Sequence, residues 1–172
     1  MIELEKTYLA KKLPKDLENC EHREIIDVYL PKESEHPVLR LRKNGTKYEI
    51  TKKEPIKEGD ASKQLEQTIV LSKEEFEGLQ KVPGKRVVKE RYRYPFEGVI
   101  AEFDVFKEGL EGLVVVDVEF EKEIDKDSFQ IPEFCLVDVT QEKFLAGGML
   151  CGRNYQDIEN DLIRVGYNKL DF

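Results

Sequence analysis

The 172-residue chain lacks several features that would assign it to a common class of protein. No apolar run approaches the ~18 residues that a membrane helix needs, and the first residues contain no apolar stretch typical of a secretory signal. We therefore expect no membrane partner and a cytoplasmic location. Lys and Arg number 28 against 36 Asp and Glu, a formal net charge of −8, so a general nucleic-acid-binding surface is not expected. A local basic site for a small anion remains compatible with this charge.

Cysteine and histidine are also scarce. Cys20, Cys135 and Cys151 form an odd, scattered set that matches neither a disulfide framework nor a Cys-x-x-Cys metal site, so we expect reduced and mostly buried thiols. His22 and His36 lie far from any partner pattern. Apolar residues still make up 40% of the chain, which leaves enough material for a core.

Alternation of apolar and polar residues with a period of two dominates the sequence and predicts β-strands. The dipeptide Asn44-Gly45 predicts a tight hairpin between the third and fourth of them. A capping box predicts a short helix over residues 72–81, and Asn154 is placed to cap a packing helix over 155–165. The order of elements predicts a mainly antiparallel sheet or barrel with helices packed outside. The predicted strands are residues 2–9, 23–30, 38–43, 47–53, 63–71, 86–94, 99–106 and 113–121.

The polar faces of these strands carry full charges, and the sign of the charge is grouped by strand. The first, seventh and eighth strands carry acids: Glu3, Glu5, Glu102, Asp104, Asp117 and Glu119. The third, fourth and sixth carry bases: Arg40, Arg42, Lys47, Lys53, Lys89, Arg91 and Arg93. Two interpretations fit a single strand: a solvated outer surface, or a wet interior lined by charge. Grouping of sign across many strands favours the interior, because an outer surface has no reason to segregate charges.

A charged interior needs counter-ions, because burying unpaired charges is prohibitive. A divalent cation and a polyanion supply them: Mg²⁺ takes carboxylate and phosphate oxygens, and Arg and Lys clamp phosphate. Residues i and i+2 of a strand lie on one face, roughly 6.6 Å apart. Glu3 with Glu5, and Asp117 with Glu119, therefore each form an acidic pair suited to one metal.

These residues resemble the motifs of the CYTH superfamily, also called triphosphate tunnel metalloenzymes. The family hallmark is an N-terminal Glu-x-Glu-x-Lys, which corresponds here to Glu3-Leu4-Glu5-Lys6-Thr7. The resemblance covers about residues 1–145 and implies a closed antiparallel eight-stranded β-barrel enclosing a charged tunnel. The other matching motifs, in the family's order, are VLRLRK, YEITKK, the acid of KQLEQTIVL, KERYRY, AEFDVFKEGLEGL and VDVEFE.

The resemblance also implies roles for individual residues. Glu3, Glu5, Asp117 and Glu119 would be ligands of Mg²⁺ or Mn²⁺. Arg40, Arg42, Lys53, Lys89 and Arg91 would bind the triphosphate. Glu66, Glu102 and Asp104 would line the tunnel and place a second metal or the attacking water, and Thr7 would also line it. The catalytic residues would be Lys53, Lys89, Arg91 and Glu66.

The chain departs from the family pattern at two places. Thr7 occupies the position of the motif lysine, and strand alternation turns Lys6 to the outer face, so the predicted tunnel has one cation fewer. The late basic residue of some relatives has only Lys143 as a counterpart. Residues 146–172 have no counterpart in the motifs and are expected to form a helical tail to a single CYTH-like domain over 1–172.

The resulting hypothesis is a metal-dependent triphosphate hydrolase that releases phosphate from inorganic triphosphate or a small organic triphosphate. An adenylate cyclase is the enzymatic alternative, and the two differ in their products. A non-catalytic module that binds nucleotide or polyphosphate is a further alternative, which Thr7 keeps open. A purely structural barrel explains none of the charge segregation. The sequence sets no oligomeric state.

Overall fold

Nine β-strands are the main elements of the structure, which is a computed structural model that describes residues 1–171. Each of the eight predicted strands is present, with ends that differ by a few residues. The strands are β1 (Ile2–Ala10), β2 (His22–Leu30), β3 (Leu39–Asn44), β4 (Lys47–Lys57), β5 (Asp60–Leu71), β6 (Lys85–Phe96), β7 (Val99–Phe106), β8 (Val114–Phe120) and β9 (Cys135–Asp138).

Strands β1 to β8 close into an antiparallel barrel, which confirms the predicted fold class. Their order is β5-β4-β3-β2-β6-β7-β8-β1, and β1 returns to β5 through three residue pairs, from Ile2 with Leu65 to Leu4 with Lys63. Beyond these pairs β9 takes the free edge of β1, opposite Tyr8 to Ala10. The sequence did not predict β9, because its four residues show no alternation and pair with only one end of one strand.

The hairpin between β3 and β4 is the tight turn that Asn44-Gly45 predicts. Asn44 pairs with Lys47, and Gly45 has a φ of 59°, a left-handed conformation that glycine adopts without a steric cost. This turn fixes the register in which Arg40 faces Thr51 and Arg42 faces Glu49. All four side chains therefore belong to one face of the sheet.

The helices are short and lie outside the barrel wall. Helix α1 (Lys73–Leu79) begins at the predicted capping box: the Ser72 amide donates to Glu75 Oε2 at 2.7 Å, and the Glu75 amide donates to Ser72 Oγ at 3.2 Å. The others are α2 (Glu123–Ser128), α3 (Gly147–Leu150) and α4 (Tyr155–Arg164), the last of which agrees with the predicted helix over 155–165. Within residues 1–171, no helix is long and apolar enough to cross a membrane.

Two of the three hydrophobic clusters lie between the outer face of the barrel and the segments that cover it. Tyr8, Phe103 and Val116 point outward from β1, β7 and β8 and pack with Leu17 and Phe134. On β3, the outward Leu41 packs under Phe76 of α1. Burial of each large apolar side chain stabilises the fold by about 1.5–3 kcal/mol. Because the apolar residues are used outside, the alternate residues of the same strands face inward.

One end of the barrel interior is closed by apolar side chains. Leu9, Val87, Phe106 and Val115 have the inward parity of their strands and pack against the C-terminal segment. That segment contributes Leu145, Leu150, Tyr155, Ile158 and Leu162 to the same cluster. The C-terminal helices therefore form a floor, and the charged residues occupy the interior above it.

Candidate active site inside the barrel

The charged faces of the strands line a cavity of about 360 Å³ inside the barrel. This volume is in the range of small-ligand sites. Its apolar floor is formed by Val87, Phe106 and Val115 of the strands together with Leu145 and Leu150 of the C-terminal segment. The predicted site residues in its wall are Glu3, Glu5, Thr7, Arg40, Arg42, Lys53, Glu66, Lys89, Arg91, Asp104, Asp117 and Glu119.

Glu102 is the one predicted tunnel residue that does not form part of this wall. It has the inward parity of β7, but its carboxylate accepts a hydrogen bond from Arg91 Nη1 at 2.5 Å and lies 3.6 Å from Arg93 Nε. Its charge is thereby neutralised by neighbouring guanidinium groups. Glu102 therefore contributes to holding Arg91 and not to the surface of the cavity.

The acidic side of the cavity is formed by β1 and β8, whose register brings carboxylates face to face. Glu5 is directly opposite Glu119, and Thr7 is opposite Asp117. Carboxylates in directly opposed positions repel one another unless a cation lies between them. The ammonium group of Lys53, on β4, instead bridges two acids of β1: its Nζ lies 2.5 Å from Glu3 Oε2 and 2.8 Å from Glu5 Oε2.

Burial and mutual repulsion raise the pKa of two of these acids. Burial, followed by the charges of Glu3 and Glu102, raises the pKa of Glu119 to about 7, and Glu119 shares a hydrogen bond with Glu3. The pKa of Glu5 is raised as well, mainly by burial, against the lowering effect of Lys53. This cluster of acids therefore has too little positive charge nearby, even though Lys53 contacts Glu3 and Glu5.

The acidic side has the donor chemistry of a site for a hard divalent cation. Its ligands would be carboxylate oxygens, which Mg²⁺ prefers, and Lys53 stands where a cation is needed. Among residues 1–171, no three His, Cys, Asp or Glu side chains are already arranged around a single point. The four carboxylates Glu3, Glu5, Asp117 and Glu119 fit a divalent metal by donor type, and they lie on the neighbouring strands β1 and β8 of the cavity wall.

The basic side of the cavity begins with an arginine held by a buried aspartate. Arg42 Nε donates to Asp27 Oδ1 at 2.7 Å, and Arg42 Nη2 donates to Asp27 Oδ2 at 2.8 Å. The two residues face each other across β2 and β3. Burial alone would raise the pKa of Asp27, but the Arg42 guanidinium outweighs it and holds the pKa at about 2. The pair orients Arg42 and leaves its Nη1 outside the two hydrogen bonds.

Arg40 is less completely paired than Arg42. Its Nη1 donates to the Tyr29 hydroxyl at 3.3 Å, and its Nη2 lies 3.8 Å from Glu66 Oε2. Within residues 1–171, Arg40 Nε is buried without a hydrogen-bond partner. A buried donor that lacks an acceptor is costly, so an anion in the cavity would find a free hydrogen-bond donor here.

Lys89 and Arg91, on β6, are bound to acids of β7 and β8. Arg91 donates from Nε and Nη2 to the two Asp104 oxygens at 2.6 and 2.7 Å, and Nη2 also reaches Asp117 Oδ2 at 3.2 Å. Lys89 forms an ion pair with the same Asp104 carboxylate. Burial, with the nearby charges of Arg91 and Arg42, lowers the pKa of Lys89 against the opposing effect of Asp104. Binding of an anion beside these closely spaced cations would therefore be favourable.

Thr7 lies on the cavity side as predicted, and its hydroxyl forms a hydrogen bond. Thr7 Oγ1 donates to Asp117 Oδ1 at 2.9 Å, while the Thr7 amide donates to Thr140 Oγ1 at 3.0 Å. Lys6 points to the outer side, where its Nζ donates to the Phe129 carbonyl at 3.4 Å. A neutral donor therefore occupies the position of the motif lysine.

The cavity wall as a whole has more negative than positive charge. Eight carboxylates and five Lys or Arg side chains line it, a formal excess of three negative charges. A polyanion would add to this excess, so its binding requires additional cations. The charge balance is consistent with a site that takes an anion together with a metal.

Sequence reasoning gave no site role to six polar residues of the cavity wall: Asp27, Tyr29, His36, Asn44, Glu49 and Gln64. Asp27 and Tyr29 line the cavity from β2, and Gln64 donates to Glu5 Oε1 at 2.5 Å from β5. For Asp27 a signal was available in the sequence: it is a single acid in the apolar run Ile25-Ile26-Asp27-Val28. A lone charge in an apolar strand is unfavourable unless a partner neutralises it. Gln64 carried no comparable signal, because its role depends on closure of β5 against β1.

Comparison with known proteins agrees with this geometry. The family model described as the CYTH domain matches residues 2–131. An inorganic triphosphatase of Nitrosomonas europaea is 37% identical over 118 residues, which are 67% of this chain and 75% of the relative.

Solved structures share the same architecture. The crystal structure of an inorganic triphosphatase has a TM-score of 0.63 at 28% identity, covering 87% of this chain and 94% of that protein. A protein of Pyrococcus horikoshii, 17% identical, shares the fold with a TM-score of 0.52 over 96% of this chain and 91% of its own. The chain belongs to the CYTH domain family of triphosphate tunnel enzymes.

Proposed function

We propose that this chain hydrolyses the terminal phosphoanhydride bond of inorganic triphosphate, or of a small organic triphosphate, inside the barrel cavity, and that residues 1–172 act as one CYTH-like domain. The observation that supports the proposal is a single cavity lined by five Lys and Arg side chains, the chemistry that binds phosphate, together with carboxylates of the type that bind a divalent metal. The similarity to a protein named inorganic triphosphatase makes inorganic triphosphate the first-choice substrate.

In this proposal Arg40 and Arg42 bind phosphate oxygens. Arg42 is held rigidly by Asp27 and keeps Nη1 available, and Arg40 has its unpaired Nε. A guanidinium held in a fixed orientation loses little conformational freedom when it binds phosphate. Lys89 adds a point charge from β6, on the other side of β2, and Lys53 adds another once it leaves Glu3 and Glu5.

Metal dependence is a property of triphosphate tunnel enzymes, and the acidic side would supply the ligands here. Glu3, Glu5, Asp117 and Glu119 would hold Mg²⁺ or Mn²⁺. When bound, the metal supplies charge neutralisation for the phosphate oxygens and polarises the phosphoryl group toward attack by water. Gln64 and Thr7 hold Glu5 and Asp117 in place through their hydrogen bonds.

The residues proposed as catalytic act by neutralising charge on the transferring phosphoryl group. Lys53 and Lys89, which line the cavity from two strands, would contact it, and Glu66 would orient Arg40 or the attacking water. Arg91 is engaged by three carboxylates, so direct binding of phosphate by Arg91 requires that one of them is released to a metal. Asp117, which is also a proposed metal ligand, is the contact that this release would break.

A phosphate-release assay over inorganic triphosphate, ATP and thiamine triphosphate, each with Mg²⁺ and Mn²⁺, tests the proposal. We expect release of orthophosphate, with inorganic triphosphate turned over fastest. Formation of cyclic AMP and pyrophosphate from ATP would instead identify an adenylate cyclase. Tight binding of triphosphate without turnover with either metal would identify a non-catalytic binding module.

A further inference from the structure

A second pocket, of about 380 Å³, lies outside the barrel where the start of β6 meets α3 and the turn that follows α3. Four of its lining residues are cations, Lys32, Lys85, Arg86 and Arg153, and one is an acid, Glu35. This is a local positive excess on a chain with a formal charge of −8. Like charges gather at a surface pocket at an electrostatic cost, which an anion would relieve.

The positive charges of this pocket are only partly neutralised by the protein. Arg86 Nη2 lies 2.9 Å from Glu108 Oε1. Lys85 Nζ donates to the Ser34 carbonyl at 2.6 Å, and Arg153 Nε donates to the Met149 carbonyl at 3.0 Å. These carbonyls orient the two side chains without removing their charge. In residues 1–171, the structure pairs none of Lys32, Lys85 and Arg153 with a carboxylate.

The backbone holds Lys85 and Arg153 on the same side of the pocket. Gly152 adopts a φ of 72°, and its amide donates to the Arg86 carbonyl at 2.9 Å, which fixes the turn before Arg153 against β6. Both cations also act on the buried Cys151 thiol: burial raises its pKa to about 11, and Lys85 and Arg153 oppose that rise. Lys85 and Arg153 therefore both line this pocket beside the turn at Gly152.

Helix α3 separates this pocket from the cavity inside the barrel. Gly148 lines both. A Cβ at Gly147 would lie 2.1 Å from the Tyr29 hydroxyl, and a Cβ at Gly148 would lie 2.1 Å from the Pro37 carbonyl oxygen. The helix is thus packed tightly against the barrel, and the two sites lie on opposite sides of it.

We propose that this second pocket binds a multiply charged phosphate-type oxyanion at a site separate from the barrel cavity. Arg153 offers a guanidinium group, Lys85 an ammonium group oriented by the Ser34 carbonyl, and Lys32 an exposed ammonium group, a combination suited to tetrahedral anions. Orthophosphate and inorganic triphosphate share this chemistry, and the more highly charged triphosphate binds more tightly.

The test is calorimetric titration of the whole protein with orthophosphate and, separately, with inorganic triphosphate, both in EDTA so that no metal-dependent turnover occurs. Arg153→Glu and Lys32→Glu change exposed residues of the second pocket. Lys15→Glu is the matched control, because it makes the same change of charge at an exposed position outside both sites. Arg40→Gln changes the barrel cavity without leaving a fully buried carboxylate unpaired.

We expect a binding event that persists in Arg40→Gln and in Lys15→Glu but weakens about tenfold in Arg153→Glu and in Lys32→Glu. Three outcomes would overturn the proposal: no binding event for either anion, loss of all binding in Arg40→Gln, or equal weakening in the second-pocket variants and in Lys15→Glu. The last would indicate a response to overall charge and not to a site.

Discussion

Replacing Asp27 by asparagine tests whether a buried ion pair holds the arginine of the cavity in place. Asp27 is 2% exposed and accepts two hydrogen bonds from Arg42. Its pKa of about 2, against about 3.9 in an unfolded chain, corresponds to about 2–3 kcal/mol of folding free energy at pH 7. The unpaired guanidinium that remains adds to this loss, so we expect the free energy of unfolding to fall by about 3 kcal/mol.

The pH dependence of this effect has a definite sign. Because the pKa of Asp27 is lower in the folded state, its stabilisation is complete above the unfolded pKa and is lost as the pH falls toward 2. About half of that contribution remains at pH 3. Urea unfolding of both proteins at pH 7 and pH 3 should therefore give a smaller difference at the lower pH.

Glu24→Gln is the control for this experiment, because it removes an exposed ion pair between the same two strands. Glu24 Oε1 lies 3.9 Å from Lys43 Nζ, and such surface pairs contribute only about 0–1 kcal/mol. Asp27→Asn should also raise the Michaelis constant for triphosphate, since Arg42 loses its orientation. A free energy of unfolding no lower than that of the control, or a difference that does not shrink at pH 3, would refute the reasoning.

Three further substitutions test the assigned roles. Glu5→Ala should abolish Mn²⁺ binding in a calorimetric titration and lower turnover by about 100-fold or more, because a hard cation loses a carboxylate ligand; unchanged affinity would mean that Glu5 is not a ligand. Arg42→Lys should raise the Michaelis constant about tenfold in steady-state kinetics, since an ammonium group cannot bind both Asp27 oxygens and keep a further oriented donor for phosphate; wild-type constants would argue against phosphate binding by Arg42. Thr7→Lys should raise the rate of phosphate release several-fold, because it returns a cation beside Asp117. A slower Thr7→Lys enzyme would show that the missing lysine is no deficit here.

The closed barrel and most of the cavity wall could be predicted from the sequence because strand alternation is a local property. Glu3 and Glu5, or Arg40 and Arg42, share a face in any strand that contains them. Their placement inside and not outside followed from the grouping of sign. The capping boxes of α1 and α4 are equally local, and both helices begin where their caps predict.

The pairing of charges could not be predicted, because it depends on which strands become neighbours. Asp27 acquires its role only when β3 brings Arg42 opposite it, and Tyr29 only when the same register brings Arg40 opposite. Likewise, the position of Arg91 among three acids requires β6, β7 and β8 in their observed order. The C-terminal segment closes the floor of the cavity through contacts with strands that are distant in the sequence. Its helical periodicity predicts a helix but not the surface on which the helix packs.

The most direct test of the central claim is product analysis by ³¹P NMR with inorganic triphosphate and Mg²⁺, for the wild type and for Arg40→Gln. Hydrolysis in the barrel cavity predicts equal amounts of orthophosphate and pyrophosphate from the wild type. It predicts a rate at least about tenfold lower for Arg40→Gln at subsaturating substrate, with the fold retained by circular dichroism. Triphosphate left intact by the folded wild type with Mg²⁺ and with Mn²⁺, or the same rate in both proteins, would contradict the account.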